Sequence, residues 1–389
     1  MMDLFEELPA DQQEDASDLN LKPDWFSGPT LWGTDWTTET IISQLRRGNI
    51  NLNPRYQRRN AWSTARKSLF IESLILGLPI PQIILAEELN QRGRFIVIDG
   101  KQRLLAIRQF ASDPDDSEFP QLRLSGLEDR DDLNGVSYPK LRTEPEFRDD
   151  LNSFENQTIR TVVIRGWEYE KYLYSVFLRI NTGSVQLSPQ ELRQALHPGG
   201  FSDFIDDISV NSEPLKSALG LKQPDFRMRD VELVLRWFAY KNFASDYKGE
   251  LKKFLDNTTS YFNKDWDRQQ PELQQQALDF DRSLETTRQI FGDRDELRKW
   301  NGQSYERRIN RAVFDIMTYY FSDIMVRAAA LQHAPELKQA FQEECTKNQE
   351  FRSSLESTTK SIEANRTRFA VWGEILSQIT GLPITSPIQ

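Results

Sequence analysis

The sequence predicts an α+β N-terminal domain followed by an all-helical C-terminal domain. Three observations carry that expectation. Short apolar runs of β character, IPQIILAEE, RFIVI and NQTIRTVVIR, all fall before residue 200. After Gly199-Gly200 the remaining apolar pattern is helical throughout. The first 35 residues are acidic, polar and without periodicity, the composition of a tail. These features divide the 389 residues into a tail over 1–35, a mixed domain over 36–200 and a helical domain over 201–389.

Taken in order, TETIISQLRR reads as a short helix ended by Gly48, and NINLN at 49–53 alternates like a strand. Ser63 caps a helix running to Leu76 and closed by Gly77. Two apolar runs about the turn at Asn90–Gly93 form a hairpin. The second run ends at Asp99-Gly100, and KQRLLAIRQFA follows as a helix. Residues 113–138 are a weakly structured insert, 156–165 a strand and 168–180 a helix. Ser188-Pro189-Gln190-Glu191 is a capping box with proline at the first helical position, so a helix starts there. Helical periodicity then covers 229–243, 272–291, 304–331, 334–347 and 360–378. The aromatic residues in these segments, such as Trp237 and Phe314, sit at core-compatible spacings.

Composition narrows the chemistry. The net charge is −10, of which −7 comes from residues 1–30. That tail either solubilises the chain or covers a basic segment until a polyanion displaces it. No apolar run of membrane-spanning length exists, and the acidic start MMDLFEELP is unlike a signal peptide. With a single cysteine, Cys345, the expected location is the reducing cytoplasm. The only histidines are His197 and His333, too few and too scattered to support a four-ligand zinc site, a His-Asn-His nuclease or a Ser-His-Asp triad.

Three segments carry chemistry. The first, NPRYQRRNAW, sets Arg55, Tyr56, Gln57, Arg58 and Arg59 together with no acid nearby. Guanidinium groups grip phosphates bidentately, and aromatic rings stack on bases. Composition alone also fits a solvated basic loop anchored by Trp62. The flanking Arg46, Arg47, Arg66 and Lys67 extend the basic run and are candidate DNA contacts. The second segment, IVIDGKQRL, brings a strand end, a glycine and a helix N-terminus together. Gly100 lets a ligand approach the backbone, and Lys101 and Arg103 offer charge to a phosphate. Asp99 holds Mg²⁺, orients water, pairs with an arginine or simply caps the helix. The third segment, FLRINTGSVQLS, presents Asn181 and Thr182 between two helices, to reach a base or ribose edge or merely to link them.

The order and spacing of NPRYQRR…W, ESLILGLPIP, IDGKQRLLAI and FLRINTGSVQLSPQELRQAL resemble the N-terminal domain of GmrSD-type modification-dependent restriction systems, a branch of the ParB/sulfiredoxin-like superfamily. The likeness covers about residues 40–200; a softer one extends over FRMRDVELVLRWFAY and STTKSIEANRTRF, as in members with their own helical C-terminus. The resemblance implies a ParB-like nucleotide- or DNA-associated domain acting in anti-phage defence. Its first box corresponds to Asn53–Arg59 and its second, usually Asp-Gly-Gln-Gln-Arg, to Asp99–Arg103. It implies NTP binding and hydrolysis at the second box. On that reading Asp99, Gln102 and Arg103 are the catalytic candidates, Arg55–Arg59, Gly100, Lys101 and Asn181 the nucleotide contacts, and Asp99 the place for Mg²⁺. Lys101 stands where glutamine is usual, which adds a phosphate-competent cation and removes an amide. Sulfiredoxin chemistry is not expected, because this box has no cysteine.

The leading expectation is an NTP-binding, NTP-hydrolysing regulatory component that works with DNA and a separate nuclease or defence protein, with oligomer formation left open. Two other readings are weighed against it. Asp99-Gly100-Lys101 with Glu87 and Glu88 outlines a metal-dependent nuclease. Alternatively, the basic run 46–67 with Arg307, Arg308, Arg311, Arg366 and Arg368 forms a DNA- or protein-binding module without turnover, or these helical arginines are solvated faces.

Overall fold

A computed structural model describes residues 28–52, 62–180, 188–356 and 361–388. The described residues separate into two compact units, one ending at Leu196 and the other beginning at His197.

The first unit is mixed α and β. Its elements are β1 (Thr30–Thr37), α1 (Thr38–Arg46), α2 (Thr64–Ile75), β2 (Ile83–Glu87), β3 (Phe95–Asp99), α3 (Lys101–Phe110), α4 (Tyr138–Thr143), α5 (Arg148–Asn156), β4 (Thr158–Arg165), α6 (Glu170–Ile180) and α7 (Pro189–Leu196). The four strands lie in the order β1-β4-β2-β3. β2 and β3 form the expected antiparallel hairpin, β4 runs parallel to β2, and β1 adds antiparallel to β4 at the edge. Thr30–Asp35, which composition assigns to the tail, belong instead to the sheet, held by pairing with β4 that polarity does not betray.

Both faces of the sheet are covered, so its central strands read as continuous apolar runs and not as alternating ones. Ile83, Leu85, Phe95, Val97, Ile159 and Val163 face a core built with α1, α2, α3 and α5. Ile84, Ala86, Ile96, Ile98 and Ile164 face the opposite core, completed by Trp167, Leu173 and Phe177 around α6 and by Leu192 of α7. Caps set the helix starts: Thr37 Oγ1 accepts the Thr40 N–H at 3.2 Å, and Ser63 Oγ the Arg66 N–H at 3.3 Å. The predicted strand at 49–53 reduces, among the described residues, to one bridge from Ile50 to Phe95. The insert after α3 is pinned by buried Glu72 of α2, whose carboxylate accepts the N–H groups of Glu128, Asp129 and Arg130 at 3.3, 3.0 and 2.8 Å.

The second unit is helical: α8 (Gly200–Asn211), α9 (Glu213–Leu219), α10 (Arg229–Phe243), α11 (Leu251–Lys264), α12 (Trp266–Phe291), α13 (Arg311–Phe321), α14 (Ile324–Gln332), α15 (Ala334–Lys347), α16 (Gln349–Glu356) and α17 (Ile362–Thr380). α10 and α15 have the predicted bounds. The single helix expected over 304–331 is two: Asn310 caps α13 through the Val313 N–H, and Asp323 caps α14 through the N–H groups of Met325 and Val326. α8, α9, α11 and α16 were not anticipated. Among the described residues no helix is long and apolar enough to cross a membrane.

Candidate functional site

The strand–turn–helix at Asp99–Arg103 forms as the sequence predicts, and its backbone explains the glycine. Gly100 adopts φ +96°, in the left-handed region. A Cβ there would stand 3.0 Å from Ile83 Cγ1 and 3.2 Å from Arg103 Nη2. As the N-cap of α3, Gly100 offers no side chain to the first N–H groups, and the first turn carries no acid. The start of α3 therefore keeps its positive end uncapped by side chains. Asp99 does not cap; its Oδ2 accepts from Arg103 Nη2 at 3.0 Å, the same nitrogen that donates to the Gln82 carbonyl at 3.0 Å. Arg103 is only 8% exposed, yet among the described residues its Nε has no hydrogen-bond partner, nor has Gln102 Oε1.

Lys101 has a partner that the sequence did not disclose. Its Nζ donates to Glu191 Oε1 at 2.6 Å, and both side chains are 5% exposed. Glu191 also completes the predicted capping box of α7. Its Oε2 accepts the Ser188 N–H at 2.8 Å, and Ser188 Oγ accepts the Glu191 N–H at 3.1 Å. The capping signature located Glu191 on α7, but only the packing of α7 against the β3 side of the sheet brings it to Lys101.

Arg55, Tyr56, Gln57, Arg58, Arg59 and Asn181 lie outside the described residues, so their convergence on Arg103 is not part of this geometry. Trp62, at the end of the first box, packs edge-on against Phe70 of α2 at 5.7 Å and carries Arg66 over its ring at 4.9 Å.

The candidate DNA contacts separate. Arg47 and Arg66 are exposed. Arg46 is partly committed inward: its Nη2 donates to the Ala111 carbonyl at 2.5 Å and lies 3.9 Å from Asp113. Lys67 is a correction. Only 4% exposed, it donates to Gln109 Oε1 at 2.7 Å, because its place on α2 turns it toward α3 and away from solvent. Burial pushes its ammonium down to about 8. Lys67→Met should therefore raise stability at pH 7 by about 1–2 kcal/mol, since burial of the charge carries its full cost while both folded and unfolded states are protonated. Folded Lys67 loses its proton through about pH 8 and the unfolded chain only near 10.5. The advantage should thus shrink between those values and be gone above them. Urea midpoints of both proteins at pH 7 and pH 10 check this; an advantage of the same size at both would refute it.

Among the described residues no group of three or more His, Cys, Asp or Glu side chains is placed to bind a metal. Asp99 is already paired with a guanidinium. Glu87 sits opposite Phe95 while Asp99 sits opposite Ile84, at the other end of the hairpin and roughly 10 Å along the strand. Glu87 is itself engaged, accepting the Gly93 N–H at 2.9 Å and pairing with Arg165 at 3.3 Å. The carboxylates of the nuclease reading are not brought together. Cys345 offers no nucleophile either, since burial pushes its thiol up to about 12.

Of the helical arginines, Arg307 and Arg366 are exposed, but Arg311 and Arg368 are buried and do not track a backbone. Arg311 pairs with Glu232 at 3.3 Å. Both belong to a polar interior that the solvated-face expectation missed.

Residues 38–198 match the family model described as GmrSD restriction endonuclease, N-terminal domain. No curated protein and no solved structure matches the chain.

Proposed function

We propose, from the match of residues 38–198 to the family model described as GmrSD restriction endonuclease, N-terminal domain, that the chain is a nucleoside-triphosphate-binding regulatory component of a DNA-restriction or anti-phage system, acting in the cytoplasm on a separate nuclease or defence partner. The family match supports the coarse part, a role in restriction. The start of α3 supports the finer part, and it is the observation that carries the reading. A helix N-terminus with no capping side chain and no acid in its first turn is an anion site in waiting. Arg103 is held beside it by Asp99 and the Gln82 carbonyl, with Nε still unpartnered. A guanidinium fixed before its ligand arrives loses little freedom on binding.

In this reading Asp99 acts as a positioning residue for Arg103. Gln102, with its unpartnered Oε1, orients the ligand or a water. Arg55–Arg59 and Asn181 supply the remaining contacts, and hydrolysis, where it occurs, rests on positioning and charge. No step is routed through a protein-held metal.

Calorimetric titration with ATP, GTP, CTP and UTP, each with and without Mg²⁺, tests the reading. At least one should bind, and Arg103→Ala should weaken it by about 10- to 100-fold, the worth of charge-assisted hydrogen bonds to one guanidinium. Asp99→Asn should weaken it less, because Arg103 keeps its charge and its bond to Gln82. Indifference of the wild-type protein to all four triphosphates overturns the proposal.

A further inference from the structure

We propose that the Lys101–Glu191 pair is a lock that an oxyanion at the start of α3 opens, so that occupancy of that site loosens α7. The inference rests on the nucleotide reading above and adds how binding is reported to the rest of the chain. Three observations carry it. First, a cation at the first position of a helix opposes the helix dipole, so Lys101 is poorly placed for the stability of α3 alone. The Glu191 carboxylate, 2.6 Å away and equally buried, answers that charge. Second, the cap of α7 does not require a charge. Glutamine serves at the third position of a capping box as well as glutamate does, because only its oxygen is needed to accept the Ser188 N–H. The negative charge at 191 therefore answers Lys101, not Ser188. Third, one carboxylate does both jobs, Oε1 on Lys101 and Oε2 on Ser188, so the two cannot be disturbed separately.

A phosphate arriving at the start of α3 meets the helix dipole and Lys101 together. It then satisfies the cation that Glu191 had been neutralising. Two anions about one buried ammonium repel each other, and the mobile response is for Glu191 to withdraw. Withdrawal takes Oε2 from Ser188 and frays the first turn of α7, the last element before the helical unit begins in sequence at His197. Differential contacts of Glu191 in the two states are what a population shift requires. A buried ion pair adds little net stability over apolar packing, and a switching role is among the uses such pairs are retained for.

Amide hydrogen exchange over 188–196, read in the full-length protein with and without ATP–Mg²⁺ or inorganic triphosphate, tests the lock. Exchange there should quicken at least several-fold on binding in the wild type. Glu191→Gln keeps the cap and removes the competing charge, so it should bind the same probe about tenfold tighter and show no ligand-dependent change over 188–196. The double variant Lys101→Gln/Glu191→Gln removes both charges together and guards against a misfolded single variant; its α7 exchange should also ignore the probe. If the wild type binds but α7 exchange is unmoved, or Glu191→Gln binds no tighter, the lock is wrong while the nucleotide site stands. If the wild type binds neither probe, both fall, whatever Glu191→Gln does.

Discussion

Asp315→Ala is expected to lower the unfolding free energy of the helical unit by about 3–5 kcal/mol, the cost of leaving a buried partner charge unanswered. Asp315 on α13 and Arg236 on α10 are both fully buried. Arg236 Nε donates to Asp315 Oδ1 at 3.0 Å, and its Nη2 closes a second bond to Oδ2. A further guanidinium, Arg368 of α17, is also at zero exposure and leans on the same carboxylate through space. Arg368 Nε donates to the Ala364 carbonyl at 3.0 Å, while its two terminal nitrogens have no hydrogen-bond partner. Removing Asp315 strips Arg236 of its paired carboxylate and Arg368 of a negative charge that acts on it through space. Asp315→Leu combined with Arg236→Met should cost less than Asp315→Ala alone, because only Arg368 then loses the carboxylate. Urea unfolding followed by far-ultraviolet circular dichroism reads both. A loss under about 1 kcal/mol for Asp315→Ala would sink the account.

Gly199→Ala should cost about 2–3 kcal/mol, although the backbone at 199 is extended and open to any residue. The reason lies across the unit. A Cβ at Gly199 would stand 2.4 Å from Asn263 Oδ1, and one at Gly200 would enter the Trp266 indole at 2.2 Å. Asn263, on α11, caps α8 from outside: its Oδ1 accepts the N–H groups of Phe201 and Ser202 at 3.0 and 3.2 Å. Its Nδ2 donates to the His197 carbonyl and to Ser202 Oγ, each at 3.0 Å. The new methyl would expel that amide and leave the start of α8 without its acceptor. Asn263→Ala alone should cost about 1–2 kcal/mol, as a lost cap does. In that background Gly199→Ala should add under about 1 kcal/mol, since the oxygen it strikes is gone. Additive losses in the double-mutant cycle would show that the glycine acts by some other route.

The legibility of the fold followed the range of the interactions that set it. Segments whose boundaries are local, such as the hairpin over β2 and β3, the capping box at Ser188 and the helices α10 and α15, were readable because caps, turns and apolar period act within a few residues. β1 was not, since TLWGTDWT, though it holds Thr and Trp, follows a long polar stretch with no turn signal to set it off, and it is ordered by pairing with β4, more than a hundred residues on. Gly199-Gly200 were readable as punctuation but not as the close approach of α11 and α12 side chains.

The same division runs through the site. The sequence by itself determined that Asp99, Gly100, Lys101, Gln102 and Arg103 form a strand end, a turn and a helix start, because an apolar run, a glycine and a helical period fix that backbone locally. It also determined that Glu191 caps α7. Only the tertiary structure decided who faces whom. It joined Lys101 to Glu191 across 90 positions, held Arg103 on Asp99 and the Gln82 carbonyl, and turned Lys67, Arg311 and Arg368 inward from a surface where their charge alone would place them. The physical reason is that a charged side chain is read from sequence as solvated, and it becomes buried only when packing supplies a partner that local spacing does not reveal.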